Sequence, residues 1–440
     1  MCGIAGLIDM TRGLSREQGE MLARRMAAVM IHRGPDAAGL WGDPDAGLFF
    51  SHRRLAIIDL SPGGAQPMLS ADQRFVICYN GEIYNFQELR QRLEAEGLRF
   101  RSTSDTEILV EAFARWGVEK TLKAIKGMFA IALWDRQARQ LHLIRDHFGK
   151  KPLYVGILDH KLVFASELKA IRAASKVVPA IDRQALTLYT RYGYVPAPFS
   201  IYQNIYKLPP AHRLTIDAER LCETNLQGQM RCYWTLQPYH DPHPPEERMQ
   251  ALEKILTRAV TQRMVADVKL GAFLSGGIDS SLVTAIMQRH ASKPVDTFCI
   301  GFEEGGYDES PHAAAIAKHL GTSHHAYTVT AAETREVIPL LPDIYDEPFA
   351  DYSQIPTYHV CRIARRETTV ALSGDGGDEM FCGYSRYFMT LKLYETMRKV
   401  PWPLRALAGQ GLLALPESAV DHLTGAATRA AGVAVTGRRL

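Results

Sequence analysis

Leu274-Ser275-Gly276-Gly277-Ile278-Asp279-Ser280-Ser281 joins an apolar run, Leu270-Gly271-Ala272-Phe273-Leu274, to an amphipathic one, Ser281-Leu282-Val283-Thr284-Ala285-Ile286-Met287. The pattern predicts a strand that passes through a tight turn into a helix. Glycine at the turn removes the Cβ atoms that would hold a ligand off the backbone, and the N–H groups of the helix start point at an anion lying there. A Gly-Gly turn can be purely steric. Two serines and an aspartate on the same turn suit phosphate oxygens and Mg²⁺ better. The lysine of a G-x-x-x-x-G-K-[ST] loop is absent.

Beyond this loop, strand, turn and helix continue to alternate. Thr297-Phe298-Cys299-Ile300-Gly301-Phe302 reads as the second strand, adjacent in space to the first. A third, Thr369-Val370-Ala371-Leu372, runs into Ser373-Gly374-Asp375-Gly376-Gly377-Asp378-Glu379. This is the pattern of a parallel α/β sheet, which binds ligands at the carboxyl ends of its strands. The second acidic turn is either a solvated loop or the other half of a phosphate and metal site. Upstream, Gln237-Pro238-Tyr239-His240-Asp241-Pro242-His243-Pro244-Pro245 has no apolar periodicity and reads as a linker. The expected domains are therefore 1–210, a connecting segment 211–244, and 245–440.

The first half starts with a strand at the terminus itself, Cys2-Gly3-Ile4-Ala5-Gly6-Leu7-Ile8. Were Met1 removed, Cys2 would carry a thiol and a free α-amine, a nucleophile and a base in one residue. The bland alternative is a small buried hydrophobe. Polar clusters follow at the ends of apolar or helix-like runs: His32-Arg33-Gly34-Pro35-Asp36, His52-Arg53-Arg54-Leu55-Ala56-Ile57-Ile58-Asp59, Tyr79-Asn80-Gly81-Glu82 and Ser104-Asp105-Thr106-Glu107. Gly127-Met128-Phe129-Ala130-Ile131-Ala132-Leu133-Trp134-Asp135 reads as a buried strand, with 140–146 as its hairpin partner. Helical periodicity at 14–31 and 105–116 would cover such strands.

Composition adds limits. The 440 residues are 46% hydrophobic and 22% charged with a net charge of +3, which suits two or three globular domains and gives no reason to expect nucleic acid. Seven cysteines without C-x-x-C pairs, no run of membrane-spanning length and no signal-peptide pattern point to the cytoplasm.

With Cys2-Gly3-Ile4, the polar clusters resemble class II glutamine amidotransferases over about residues 2–170. The S-G-G-x-D-S loop resembles the pyrophosphate loop of ATP pyrophosphatases, and the two together make the chain similar to the asparagine synthetase B family. The resemblance implies an αββα, Ntn-hydrolase-like sandwich followed by a parallel α/β domain. It gives Cys2 as nucleophile, Asn80 and Gly81 as oxyanion donors, and Arg54, Leu55, Ile58, Glu82 and Asp105 as glutamine contacts. Arg53 competes with Arg54; the local alternatives are a hairpin turn at Asn80-Gly81 and a helix N-cap at Asp105. ATP would meet Leu274, Ser275, Gly276, Gly277, Asp279, Ser280, Ile300, Ser373 and Gly374; Asp279 and Asp378 would hold Mg²⁺, and Asp375, where many members have glutamate, would assist adenylate formation. The acceptor segment is 345–356, with Tyr352 in place of a serine. Aspartate is the default acceptor, with a sugar acid or β-amino acid left open. A homodimer is admissible, the oligomeric state being unreadable from sequence. The Ala- and Gly-rich stretch 425–432 has no matching lysine segment after it, so a fragment, or a glutaminase without ligase activity, is the alternative expectation.

Overall fold

The computed structural model describes residues 1–221, 225–239, 244–303 and 308–414, so the middle of the linker stretch and the segment 425–432 lie outside the described residues. The chain forms two compact units, 1–373 and 374–440.

The first unit begins with β1 (Gly3–Asp9), β2 (Ala37–Asp43), β3 (Leu48–Arg54), β4 (Met68–Leu69), β5 (Phe75–Ile83) and β6 (Gly127–Asp135). It continues with β7 (Gln140–Arg145), β8 (Tyr154–Leu158), β9 (Lys161–Ala165), β10 (Ile205–Lys207), β11 (His212–Asp217) and β12 (Arg231–Cys232). These strands make two six-stranded sheets, ordered β10-β8-β9-β1-β3-β2 and β12-β11-β7-β6-β5-β4, with antiparallel pairing throughout. Period-2 alternation divides β1 between two cores: Ile4 and Ile8 pack with Val76, Ala132 and Trp134 of the other sheet, while Ala5 and Leu7 face the helices Arg16–Ala28 and Leu168–Ala173. The second sheet turns Ile77, Tyr79 and Ile131 toward Leu89, Ile108 and Phe113 of the helices Phe86–Ala95 and Asp105–Ala124. The result is the expected αββα sandwich. A capping box on Ser15 and Gln18 starts the first helix, and Ser104 caps Asp105–Ala124 through the Thr106 N–H.

The sandwich runs past Pro210. β11 pairs with β7, and β12 with β11, so residues 212–217 and 231–232 belong to the second sheet, where the sequence alone suggests a connecting segment from 211. Short strands bordered by Pro-rich text at 209–210 and 238–245 carry too little local pattern to reveal this.

A four-stranded parallel sheet completes the unit: β13 (Leu270–Phe273), β14 (Asp296–Phe302), β15 (Ser323–Val329) and β16 (Val370–Leu372), ordered β15-β14-β13-β16. β13 has β14 on one side and β16 on the other, so chain direction across the sheet reverses at its carboxyl end. The sandwich meets this region through Asp267, whose N–H donates to the Ile57 carbonyl at 2.9 Å and whose carboxylate accepts from the Asp59 N–H at 2.7 Å. The second unit contains the helices Gly377–Phe381, Ser385–Arg398 and Trp402–Ala414.

Candidate active site

Cys2 stands at the start of β1 and opens onto a cavity of about 320 Å³. Its Sγ accepts from the Leu55 N–H at 3.4 Å and donates to the Leu55 carbonyl at 3.6 Å. Burial pushes the thiol pKa up, so the thiol needs a base to become a nucleophile. The amine of Met1, against the same wall, is pulled down to about 6, chiefly by burial.

Asn80 and Gly81 lie within β5, opposite Ala130 and Phe129, and form no hairpin turn. The Asn80 carboxamide is 1% exposed at the residue level, and neither its Oδ1 nor its Nδ2 has a hydrogen-bond partner among the described residues. An unpaired buried amide costs free energy, and such groups concentrate where a ligand completes them. A Cβ on Gly81 would lie 2.1 Å from the Met128 carbonyl oxygen, so only glycine fits there.

Arg54, Leu55, Ile58, Glu82 and Asp105 all line this cavity. The pleat of β3 decides between the arginines: Arg54 faces the Cys2 cavity and Arg53 faces a separate surface cleft with Arg24 and Gly39. The Arg54 guanidinium is held by its own loop, donating to the Ser61 carbonyl at 2.9 Å and to the Asp59 carbonyl. Ser104 takes the N-cap, which leaves Asp105 to accept the Tyr79 hydroxyl and the Ile83 N–H, each at 3.0 Å on Oδ2. Burial raises the Asp105 pKa, and these hydrogen bonds pull it back.

Burial also drives Glu82 up to about 7, with the nearby Lys151 charge opposing the rise. Lys151 itself is lowered to about 8 by burial, opposed by Glu82. Lys151 is a cavity residue that the sequence did not single out, 4% exposed and with Nζ 2.8 Å from Met1 Sδ. Lysines are overwhelmingly solvated, so a Lys-Lys-Pro string gives no local hint of burial. Gln66 and, from β16 and the residue before it, Thr369, Val370 and Ala371 also line the cavity.

At the parallel sheet, Leu274 is buried and Ser275, Gly277 and Ile278 are exposed beyond the end of β13. Gly276 has φ +87°, a conformation that side chains disfavour. Ser275 Oγ and Ser280 Oγ lie 3.0 Å apart, and the helix Ile278–His290 begins at Gly277 without a side-chain cap, with Asp279 in its first turn. Such a turn can receive phosphate on backbone N–H groups and hydroxyls. Ile300 is half-buried in β14, and Ser373 follows β16. Gly374, Asp375 and Asp378 belong to the second unit, where the helix Gly377–Phe381 follows Gly376 at φ +92°.

In the expected acceptor segment, Asp346 and Glu347 are already engaged by the sandwich. Asp346 accepts from the Lys169 backbone N–H at 3.0 Å and pairs with Lys169 Nζ at 3.2 Å; Glu347 pairs with Lys207 and accepts from the Ile201 N–H at 3.2 Å. Tyr352 is 94% exposed.

Residues 1–227 match the glutamine amidotransferase domain family, and residues 251–436 match the asparagine synthase family. The putative glutamine-hydrolysing asparagine synthetase 2 of Methanocaldococcus jannaschii is 35% identical over 93% of this chain and 80% of its own length. The chain belongs to the glutamine-hydrolysing asparagine synthetase family. Asparagine synthetase 1 of Bacillus subtilis is 34% identical over 95% of this chain, and a putative asparagine synthetase of Mycobacterium bovis 35% identical over 95%. The chain spans 64% and 65% of those two family members' lengths. Among solved structures, a glutamine phosphoribosylpyrophosphate amidotransferase from B. subtilis is similar at 16% identity over 74% of this chain and 65% of that one, with a TM-score of 0.38. The amidotransferase match takes in β11 and stops before β12, and the asparagine synthase match begins inside the helix Pro245–Arg263.

Proposed function

We propose that this chain makes asparagine from aspartate, taking ammonia from glutamine at Cys2 and consuming ATP to AMP and pyrophosphate. The observation that carries the glutaminase half is the buried, unpartnered Asn80 carboxamide sharing one cavity with the Cys2 thiol. With Met1 removed, the Cys2 α-amine takes up the thiol proton. The thiolate attacks the glutamine carboxamide carbon, and the Asn80 N–H₂ and Gly81 N–H receive the oxyanion. Collapse releases ammonia, which carries off the proton held by the amine, and water then hydrolyses the γ-glutamyl thioester. Arg54 faces the substrate carboxylate, sharing its guanidinium with the Asp59 and Ser61 carbonyls, and Glu82 faces the substrate ammonium.

For the second half-reaction, the aspartate side-chain carboxylate attacks the α-phosphate of ATP, pyrophosphate leaves, and ammonia displaces AMP from the acyl-adenylate. Leu274, Ser275, Gly276, Gly277 and Ser280 would cradle the leaving pyrophosphate, with Ile300 and Ser373 as nucleotide contacts. Among the described residues no group of three or more His, Cys, Asp or Glu side chains could hold a metal alone. Mg²⁺ binds through one or two carboxylates together with phosphate oxygens and water, and Asp279, in the first turn of the helix after the loop, is the carboxylate that the first unit would supply. Bound there, Mg²⁺ would neutralise charge on the departing pyrophosphate.

The test is release of AMP and pyrophosphate with aspartate as acceptor, comparing the chain with Cys2→Ala, each with glutamine or ammonia. Asparagine formed from glutamine by the wild type, and only from ammonia by Cys2→Ala, supports both halves. Glutamine hydrolysis without pyrophosphate from either nitrogen source overturns the aspartate reading and leaves a glutaminase with another acceptor or none. Intact mass of the purified chain checks removal of Met1.

A further inference from the structure

β5 carries the oxyanion donors, yet its outer edge is only partly paired. β4 reaches β5 at Val76 and Ile77 alone. Backbone N–H groups of alternate residues leave a strand on the same edge, so those of Tyr79, Gly81 and Ile83 point together. Phe129, opposite Gly81 on β6, spends its N–H on Asp146 Oδ2 at 3.2 Å and its carbonyl on the Asp146 N–H at 2.8 Å, which confirms that Gly81 faces outward. The groups on either side of Gly81 are taken by side chains. The Tyr79 N–H donates to Gln66 Oε1 at 2.6 Å, and the Ile83 N–H donates to Asp105 at 3.0 Å. The Tyr79 carbonyl accepts from His52 Nε2 at 3.1 Å. Gln66 is itself fixed by Nε2 donating to Thr106 Oγ1 at 3.3 Å. Gln66, His52, Tyr79 and Thr106 are all at least nine-tenths buried.

We infer that Gln66 and His52 are the positioning pair of the oxyanion site: their side chains replace a missing neighbour strand at Tyr79 and so hold Asn80 and Gly81 at the height where the tetrahedral oxyanion forms. Among the described residues only the Gly81 N–H is left uncommitted along this edge, between two anchored neighbours. A donor displaced by a fraction of an ångström loses most of its selectivity for the transition state, while ground-state binding through Arg54 and Glu82 is untouched. The inference rests on the glutaminase reading above.

The experiment uses the chain with Met1 removed and follows glutamine hydrolysis together with the rate of Cys2 alkylation by iodoacetamide, which needs the thiolate but no oxyanion donor. Gln66→Met, which keeps the length and removes both hydrogen bonds, is expected to lower kcat about 10- to 100-fold. Its KM should stay within about threefold and its alkylation rate within about twofold. Gln66→Glu keeps the acceptor for the Tyr79 N–H and is expected to recover most of the loss; His52→Gln, which keeps a donor, should exceed His52→Leu. A Gln66→Met enzyme with wild-type kcat, or one whose alkylation falls in step with kcat, overturns the inference. Should Gln66→Met not fold, hydrogen exchange on the wild type decides: the Tyr79 amide is expected among the slowest of β5, and loop-like exchange overturns the inference. A wild type that alkylates at Cys2 yet hydrolyses no glutamine refutes the glutaminase reading, and the inference falls with it.

Discussion

Glu82 is expected to govern how glutamine binding responds to pH. Its carboxyl is raised to about 7, first by burial, with Lys151 pulling the other way. A carboxylate that must be ionised to meet an ammonium is available above its pKa and lost as pH falls through it. Between pH 8 and pH 6 the ionised fraction falls about tenfold, so the KM for glutamine is expected to rise about tenfold over that interval. Glu82→Gln should raise KM at pH 8 and flatten the profile. Steady-state kinetics across pH read this directly, and a flat wild-type profile would remove Glu82 from substrate binding. Lys151→Met tests the opposing charge: without it the Glu82 pKa climbs further and the KM rise begins at higher pH.

At the scale of elements, function sits where a strand ends or where its edge is left open. The loop after β13 depends on Gly276, whose φ of +87° strains any side chain and whose added Cβ would crowd Ala313 N and His312 Cβ at 3.0 Å. Gly276→Ala is expected to cost about 1–2 kcal/mol of local strain. Its main effect should be to tilt the phosphate-facing turn and cut ATP-dependent pyrophosphate release tenfold or more, while glutamine hydrolysis at the other sheet persists. Parallel loss of both activities in that variant would argue against separate sites. β5 shows the complementary design. Its paired edge is a regular ladder to β6, and its open edge is anchored by Gln66 and Asp105 around Gly81.

Across the first unit, the sandwich and the parallel sheet are tied by buried charge. Lys207 pairs with Glu347, the side chains being 15% and 9% exposed, and Lys169 bridges Glu167 and Asp346 at 3.1 and 3.2 Å. Burial opposes both members of the first pair, lowering Lys207 and raising Glu347, and each partner's charge offsets only part of it. Such a pair contributes little net stability but makes any other docking costly. Lys207→Ala strands Glu347 and is expected to destabilise by about 3–5 kcal/mol, and adding Glu347→Gln should recover part of that loss. Urea unfolding of the two single variants and the double variant measures this, and additive losses would show that the pair is not coupled.

Much of the architecture was legible locally. Apolar runs such as 127–135, which need cover on both faces, read as buried strands, and glycines and hydroxyls at one strand end as a phosphate-type loop, because burial pattern and turn chemistry are properties of a few adjacent residues; the αββα order of layers came from the family resemblance. Cys2 and the polar clusters that contain Arg54, Asn80 and Asp105 could likewise be picked out in order along the chain. Which of them meet was decided by tertiary structure. The pleat of β3 turns Arg54 rather than Arg53 into the Cys2 cavity, and β11 and β12 extend the sandwich into the segment from 211 expected only to connect domains. Packing buries Lys151 beside Glu82, and docking commits Asp346 and Glu347 to sandwich lysines. These outcomes depend on desolvation and on partners far away in sequence, so local propensity and spacing determine the elements and their chemistry, while burial against distant strands assigns each charge its role.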